Sequence, residues 1–98
     1  MISKLFRNGI RWKNEFFQII YVKNEFYKDR CAIIVSKKNG NSVKRNKVKR
    51  TFREVFRTNK RFCPPFYDLL FKPEPGHQFK NQEVKIAFLS WISDLEKK

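Results

Sequence analysis

The stretch from Ser36 to Arg57 reads SKKNGNSVKRNKVKRTFREVFR, and the way it folds decides how the rest of the chain is read. Lys and Arg crowd it, with Glu54 its sole acid, yet Val48, Phe52, Val55 and Phe56 recur at i, i+4, i+7 and i+8. That is the spacing of one buried helix face. At about 100° per residue these four fill an arc of roughly 100°, and Asn46, Arg50, Arg53 and Arg57 project opposite, within roughly 60° of one another. Lys47, Lys49 and Glu54 flank that row. The spacing predicts a helix that packs on a core by one side and holds fixed cations toward solvent by the other.

The ends of this helix are marked. Gly40-Asn41 breaks the preceding segment, and Ser42 is the expected N-cap, its hydroxyl accepting from a free backbone N–H. The far end frays through Thr58-Asn59, and Pro64-Pro65 forbids continuation. Lys44 and Arg45 near the first turn oppose the helix dipole, each at a cost of about a few tenths of a kcal/mol. A polyanionic partner explains them more readily than folding does. The plain alternative is a solvated charged face, which most basic helices are.

Working outward, Arg30 to Ser36 (RCAIIVS) is nearly continuous in hydrophobicity and is expected to be a central strand. Glu15 to Val22 (EFFQIIYV) is the first strand, rich in β-formers. Phe17, Ile19 and Tyr21 point one way along it, and Phe16, Gln18, Ile20 and Val22 the other. Both faces are apolar, so both are covered or one is a ligand platform. Lys23 to Asp29 reads as a hairpin loop between these strands. Ile2, Leu5 and Phe6 followed by Gly9 resemble the last turns of an amphipathic helix ending at a glycine. Beyond the basic helix, Phe66 to Lys72 (FYDLLFK) is a third strand closed by Pro73-Glu74-Pro75-Gly76, with Asp68 out of keeping. From about Asn81 to Lys97 the helical period returns through Val84, Ala87, Phe88, Trp91, Ile92 and Leu95. Trp12 and Trp91 are assigned to packing. The order is partial helix, strand, strand, basic helix, strand, helix: an α+β chain, a small two-layer sandwich forming one domain over residues 1–98.

Composition narrows the partners. A formal charge of +14 over 98 residues directs the surface toward polyanions. The aromatic share of 16%, with 11 Phe, argues against a disordered basic tail and for a packed sheet or a base-stacking surface. Cys31, Cys63 and the single His77 do not supply a zinc ligand set. Cys31 lies in an apolar run and is expected buried and reduced, with a disulfide to Cys63 left open. No apolar run approaches the roughly 18 residues of a membrane span, and Met1 to Gly9 has no signal-peptide core, so the chain reads as cytoplasmic. The acids are scattered, His77 sits in a Pro/Gly turn as an ordinary loop residue, and Asn39-Gly40-Asn41 is too short for a phosphate loop. No catalytic constellation and no metal site is expected in the polypeptide itself.

The ordered run Ser36-Lys37-Lys38, Gly40, Arg45-Asn46-Lys47, Lys49-Arg50, Arg53-Glu54 and Phe56-Arg57 resembles the signature of the bacterial ribonuclease P protein component. Lys47 stands where that family usually has a second Arg, so a planar donor fork becomes a point charge. The resemblance implies a non-catalytic protein subunit of a ribonucleoprotein endoribonuclease. Its RNA subunit hydrolyses precursor tRNA at the 5′ end with bound Mg2+, while the protein docks on that RNA, grips the 5′ leader and lowers the magnesium requirement. Carried onto this chain, docking falls to Arg45, Asn46, Lys47, Lys49, Arg50, Arg53 and Arg57, with Lys37, Lys38 and Lys44 in second rank. Leader stacking falls to Phe6 and either Phe17 or Tyr21, for which packing in the core is the competing role.

The resemblance also implies a left-handed βαβ crossover through the basic helix, where the general rule gives a right-handed one. A monomeric protein in a 1:1 ribonucleoprotein is expected. Aligned on Gly9, the chain begins inside the family's first helix, which suggests a shortened helix or an initiation codon placed too late. A small ribosomal or other structural RNA-binding protein would share the charge but not the ordered run. A DNA-binding module would need base-reading polar residues on the basic helix, where Asn46 stands alone.

Overall fold

In the computed structural model, residues 2–25, 30–62 and 67–96 are described. In chain order they form α1 (Ile2–Asn8), β1 (Ile10–Lys13), β2 (Phe17–Lys23), β3 (Arg30–Ile33), α2 (Ser42–Asn59), β4 (Tyr67–Pro73) and α3 (Asn81–Glu96). Single 3₁₀ turns at Lys37–Asn39 and Lys60–Phe62 bracket α2. The sheet runs β1-β2-β4-β3, with β2 antiparallel to both neighbours and β3 parallel to β4. The parallel pair is joined through α2, a βαβ unit.

Three expectations are corrected by this topology. First, the sheet has a fourth strand, β1, too short and too exposed to carry an alternating pattern. The turn after it is held by Asn14, whose Oδ1 accepts from the backbone N–H of Phe16 at 2.7 Å and of Phe17 at 2.8 Å. An Asx turn of this kind mimics a backbone turn, so β2 starts at Phe17 rather than Glu15. Second, β2 and β3 are no hairpin, because β4 lies between them. Third, β3 is an edge strand and ends at Ile33. Its unbroken hydrophobicity has another cause: Cys31 and Ile33 pack toward the helices, while Ala32 joins an apolar cluster on the other face.

The core lies between the sheet and α2 plus α3. Phe17, Ile19 and Tyr21 of β2 and Leu69 and Phe71 of β4 meet Phe52 and Val55 of α2 and Val84, Phe88 and Trp91 of α3. The abundant aromatics are spent here in edge-to-face and tilted pairs, such as Phe17–Phe52 at 5.0 Å and Tyr21–Trp91 at 5.2 Å between ring centroids. Such pairs add to the area they bury. At the sheet's free edge, Trp12 Nε1 donates to Asp94 Oδ2 at 2.9 Å, tying β1 to α3.

The opposite face is covered only in part. Leu5 of α1 packs on Ile20 and Leu70. Gly9 permits that approach, since a Cβ there would lie 2.3 Å from the Leu5 carbonyl oxygen and 2.5 Å from Ile20 Cγ2. Asp68, odd in an apolar strand, is buried on this face beside Arg30 of β3. The Arg30 guanidinium donates to both its carboxylate oxygens at 2.7 Å, and Asn24 donates to Oδ1 at 2.9 Å. Those bonds hold the Arg30 guanidinium pKa above its ordinary value, against the opposing effect of burial.

Candidate nucleic-acid interface

The helix α2 is oriented as its spacing predicts. Phe52 and Val55 are buried, and Val48 and Phe56 are half-buried against the core. Asn46, Lys47, Arg50, Arg53 and Arg57 are exposed. Its N-cap is Asn41 rather than Ser42: the Asn41 side chain accepts from the Lys44 N–H at 3.0 Å, and Ser42 is the first helical residue. Both residue types cap well.

That turn depends on Gly40, whose φ of 118° and ψ of −163° lie in a region essentially restricted to glycine. A Cβ there would also meet Lys44 Cδ at 2.8 Å. The glycine sets the joint between Lys37-Lys38 and the start of α2. Gly40→Ala is expected to cost about 1–3 kcal/mol, read as a lowered denaturation midpoint. A variant as stable as the parent would mean that the joint can take another conformation.

Three of the docking cations, Arg45, Arg53 and Arg57, differ from a simple solvent row. Arg45 lies on the packed side of α2 and is half-buried, with Nε buried and Nη2 3.4 Å from the Ser42 hydroxyl. It sits three residues before Val48, one turn up the apolar stripe. Arg57 is exposed but ion-paired to Glu54 at 2.6 Å, a surface pair of small energetic weight. Arg53, Arg57 and Lys60 instead line a groove of about 360 Å³ along the edge strand β3, with Cys31 and Phe56 below them. Burial pushes the Cys31 thiol up to about 12, with the Arg53 charge pulling the other way, so Cys31 is a neutral thiol at pH 7. Cys63 lies outside the described residues.

Of the leader-stacking candidates, Phe6 and either Phe17 or Tyr21, the structure places the latter two in the core, the competing role. Phe17 is fully buried and Tyr21 is 3% exposed, both on the sheet face that α2 and α3 cover. Neither ring offers a face to a ligand. Phe6, 41% exposed on α1, remains available. The pairing register sets Arg11 opposite Ile20, and Lys13 and Lys72 opposite Gln18. Cross-strand partners share a face, so these cations stand on the open side of the sheet that α1 only partly covers. Reading strand β1 would have found Arg11 and Lys13, but IRWK carries no periodic signal, and Lys72 ends the FYDLLFK run that already reads as a strand.

Among the described residues, no group of three or more His, Cys, Asp or Glu is placed to hold a metal ion, and no helix is long and apolar enough to cross a membrane. Fold and surface together define the class: a small α+β protein whose longest helix turns a row of cations outward.

Comparison narrows the class. The family model described as Ribonuclease P matches residues 1–96. The chain is similar to the ribonuclease P protein component of Petrotoga mobilis, at 41% identity with 96% of this chain and 84% of that one covered. For the Thermotoga maritima component the identity is 38%, over 70% of this chain and 59% of that one. Among solved structures it resembles the RNase P protein from Thermotoga maritima, with a TM-score of 0.85, 29% identity and coverage of 93% and 87%. It also resembles the Staphylococcus aureus RNase P protein, with a TM-score of 0.80, 28% identity and coverage of 98% and 88%. The chain belongs to the ribonuclease P protein family, the protein subunits of a ribonucleoprotein endoribonuclease that acts in tRNA processing.

Proposed function

We propose that this chain docks on the catalytic RNA of ribonuclease P through the outer side of α2 and takes the 5′ leader of precursor tRNA across the open face of its sheet. The observation that carries the reading is the division of α2: Phe52 is fully buried while Arg50 and Arg53 are exposed on the opposite side. Cations held on a rigid, packed helix neutralise phosphates without asking for sequence, and release the counterions condensed on RNA. Asn46, Arg50, Arg53 and Arg57 form this row, flanked by Lys47 and the half-buried Lys49, with Lys37, Lys38, Lys44 and the half-buried Arg45 around it.

Support for the leader site comes from the exposed Phe6 of α1 together with the cations Arg11, Lys13 and Lys72 on the sheet face that α1 partly covers, since a single strand offers bases to stack and phosphates to neutralise. Magnesium belongs to the RNA partner, and the protein residues lower its requirement by supplying fixed positive charge. One protein per RNA, in the cytoplasm, completes the reading.

Reconstitution tests it. Alone, the protein is expected to leave precursor tRNA uncut. Mixed with its cognate catalytic RNA at low magnesium, it should accelerate removal of the 5′ leader. Cleavage without the RNA, or no acceleration at any magnesium concentration, would overturn the reading.

A further inference from the structure

Beside the N-terminal half of α2 runs a groove of about 780 Å³ that joins two distant parts of the chain. Lys38, Lys44 and Lys47 reach it from α2 and the turn before it, while His77, Phe79 and Lys80 come from the segment between β4 and α3. The four lysines are exposed, and none of the described lining residues is acidic. The wall they surround is fixed to the core. Phe79 is half-buried with its ring 5.2 Å from Phe52, and His77 lies between Phe79 at 6.2 Å and Phe16 at 5.3 Å.

Among the described residues no acid pairs with these four ammonium groups, which repel one another, and an anion relieves that repulsion. Lysine binds phosphate as a mobile point charge that needs no planar match. The apolar wall of Val48 and Phe79 suits a ribose or the face of a base. Together these are the chemistry of a nucleotide chain rather than of a lone anion.

We propose that this groove is a second RNA-binding element, in which the segment His77–Lys80 and α2 together hold a single-stranded stretch of the catalytic RNA backbone. The proposal rests on the docking reading above and extends it to residues outside the signature. The occupant is the catalytic RNA and not the leader for a positional reason. The groove opens on the helix side of the sheet, where Lys47 of its wall flanks the outward row of α2, whereas Phe6 and the open face lie across the sheet.

Lysine acylation read by mass spectrometry tests this on the complete protein, free and bound to transcribed catalytic RNA. Lys80 is expected to lose reactivity several-fold on binding, together with Lys44 and Lys47, while the exposed Lys85 of α3, outside the groove, keeps its own. In a salt series, Lys80→Gln should flatten the log-affinity slope by about 0.7–0.9, and Lys85→Gln should leave it unchanged. Lys80 equally reactive in the free and bound protein would overturn the proposal. So would protection that appears only when leader-bearing precursor tRNA is added. If Arg50→Gln with Arg53→Gln weakens binding while Lys80 stays reactive, the groove fails and the docking reading stands. No binding by the parent protein overturns both.

Discussion

Phe52→Ala is expected to unfold much of the molecule before any RNA is added. The ring is fully buried and sits 5.0 Å from Phe17, 5.2 Å from Phe79 and 5.5 Å from Phe71. It joins α2, the sheet and the segment before α3 at one point. Emptying a buried aromatic site costs on the order of 3–5 kcal/mol, against roughly 5–15 for a whole domain. Thermal and denaturant unfolding followed by circular dichroism will measure it. A variant that melts like the parent would mean that α2 is rolled about its axis and that the cation row faces elsewhere.

The double substitution Arg50→Gln and Arg53→Gln is expected to do the reverse, leaving the fold and weakening the complex. Both side chains are exposed and Gln keeps helix propensity, so stability should move by less than about 1 kcal/mol. If each arginine contacts a phosphate, affinity for the catalytic RNA falls and the log-affinity against log-salt slope flattens by roughly 0.7–0.9 per lost contact. Titrations at several salt concentrations, with a melting curve on the same variant, separate the two effects. An unchanged slope would show that the row faces only water.

The helices were legible because their pattern is local. In α2 and α3 the apolar residues recur within one turn, so Val48, Phe52, Val55 and Phe56, and likewise Val84, Phe88, Trp91 and Ile92, declare their buried side without reference to the rest of the chain. The outward direction of Arg50, Arg53 and Arg57 follows as the complement. Arg45 shows the limit of reasoning from charge alone: its residue type suggested solvent, while its angular position put it on the packed side.

The sheet was legible only in part. Alternation along β2 separated Phe17, Ile19 and Tyr21 from Ile20 and Val22, and that division holds, but Phe16 precedes the strand and packs on the main core rather than with Ile20. It could not say which set the helices cover, because both are apolar, and the covered set proved to be the one that held two stacking candidates. Strand pairing is non-local, so nothing within β3 marks it as an edge, and nothing between β2 and β3 announces that β4 enters there. The groove beside α2 has the same origin. Lys47 and Lys80 are 33 positions apart in the chain, and only the packing of Phe79 on Phe52 brings their charges to one place. Local periodicity determines the faces of each helix and the charge they display. Long-range burial, which a strand satisfies equally well on either side until its neighbours arrive, decides what lies beneath and beside them.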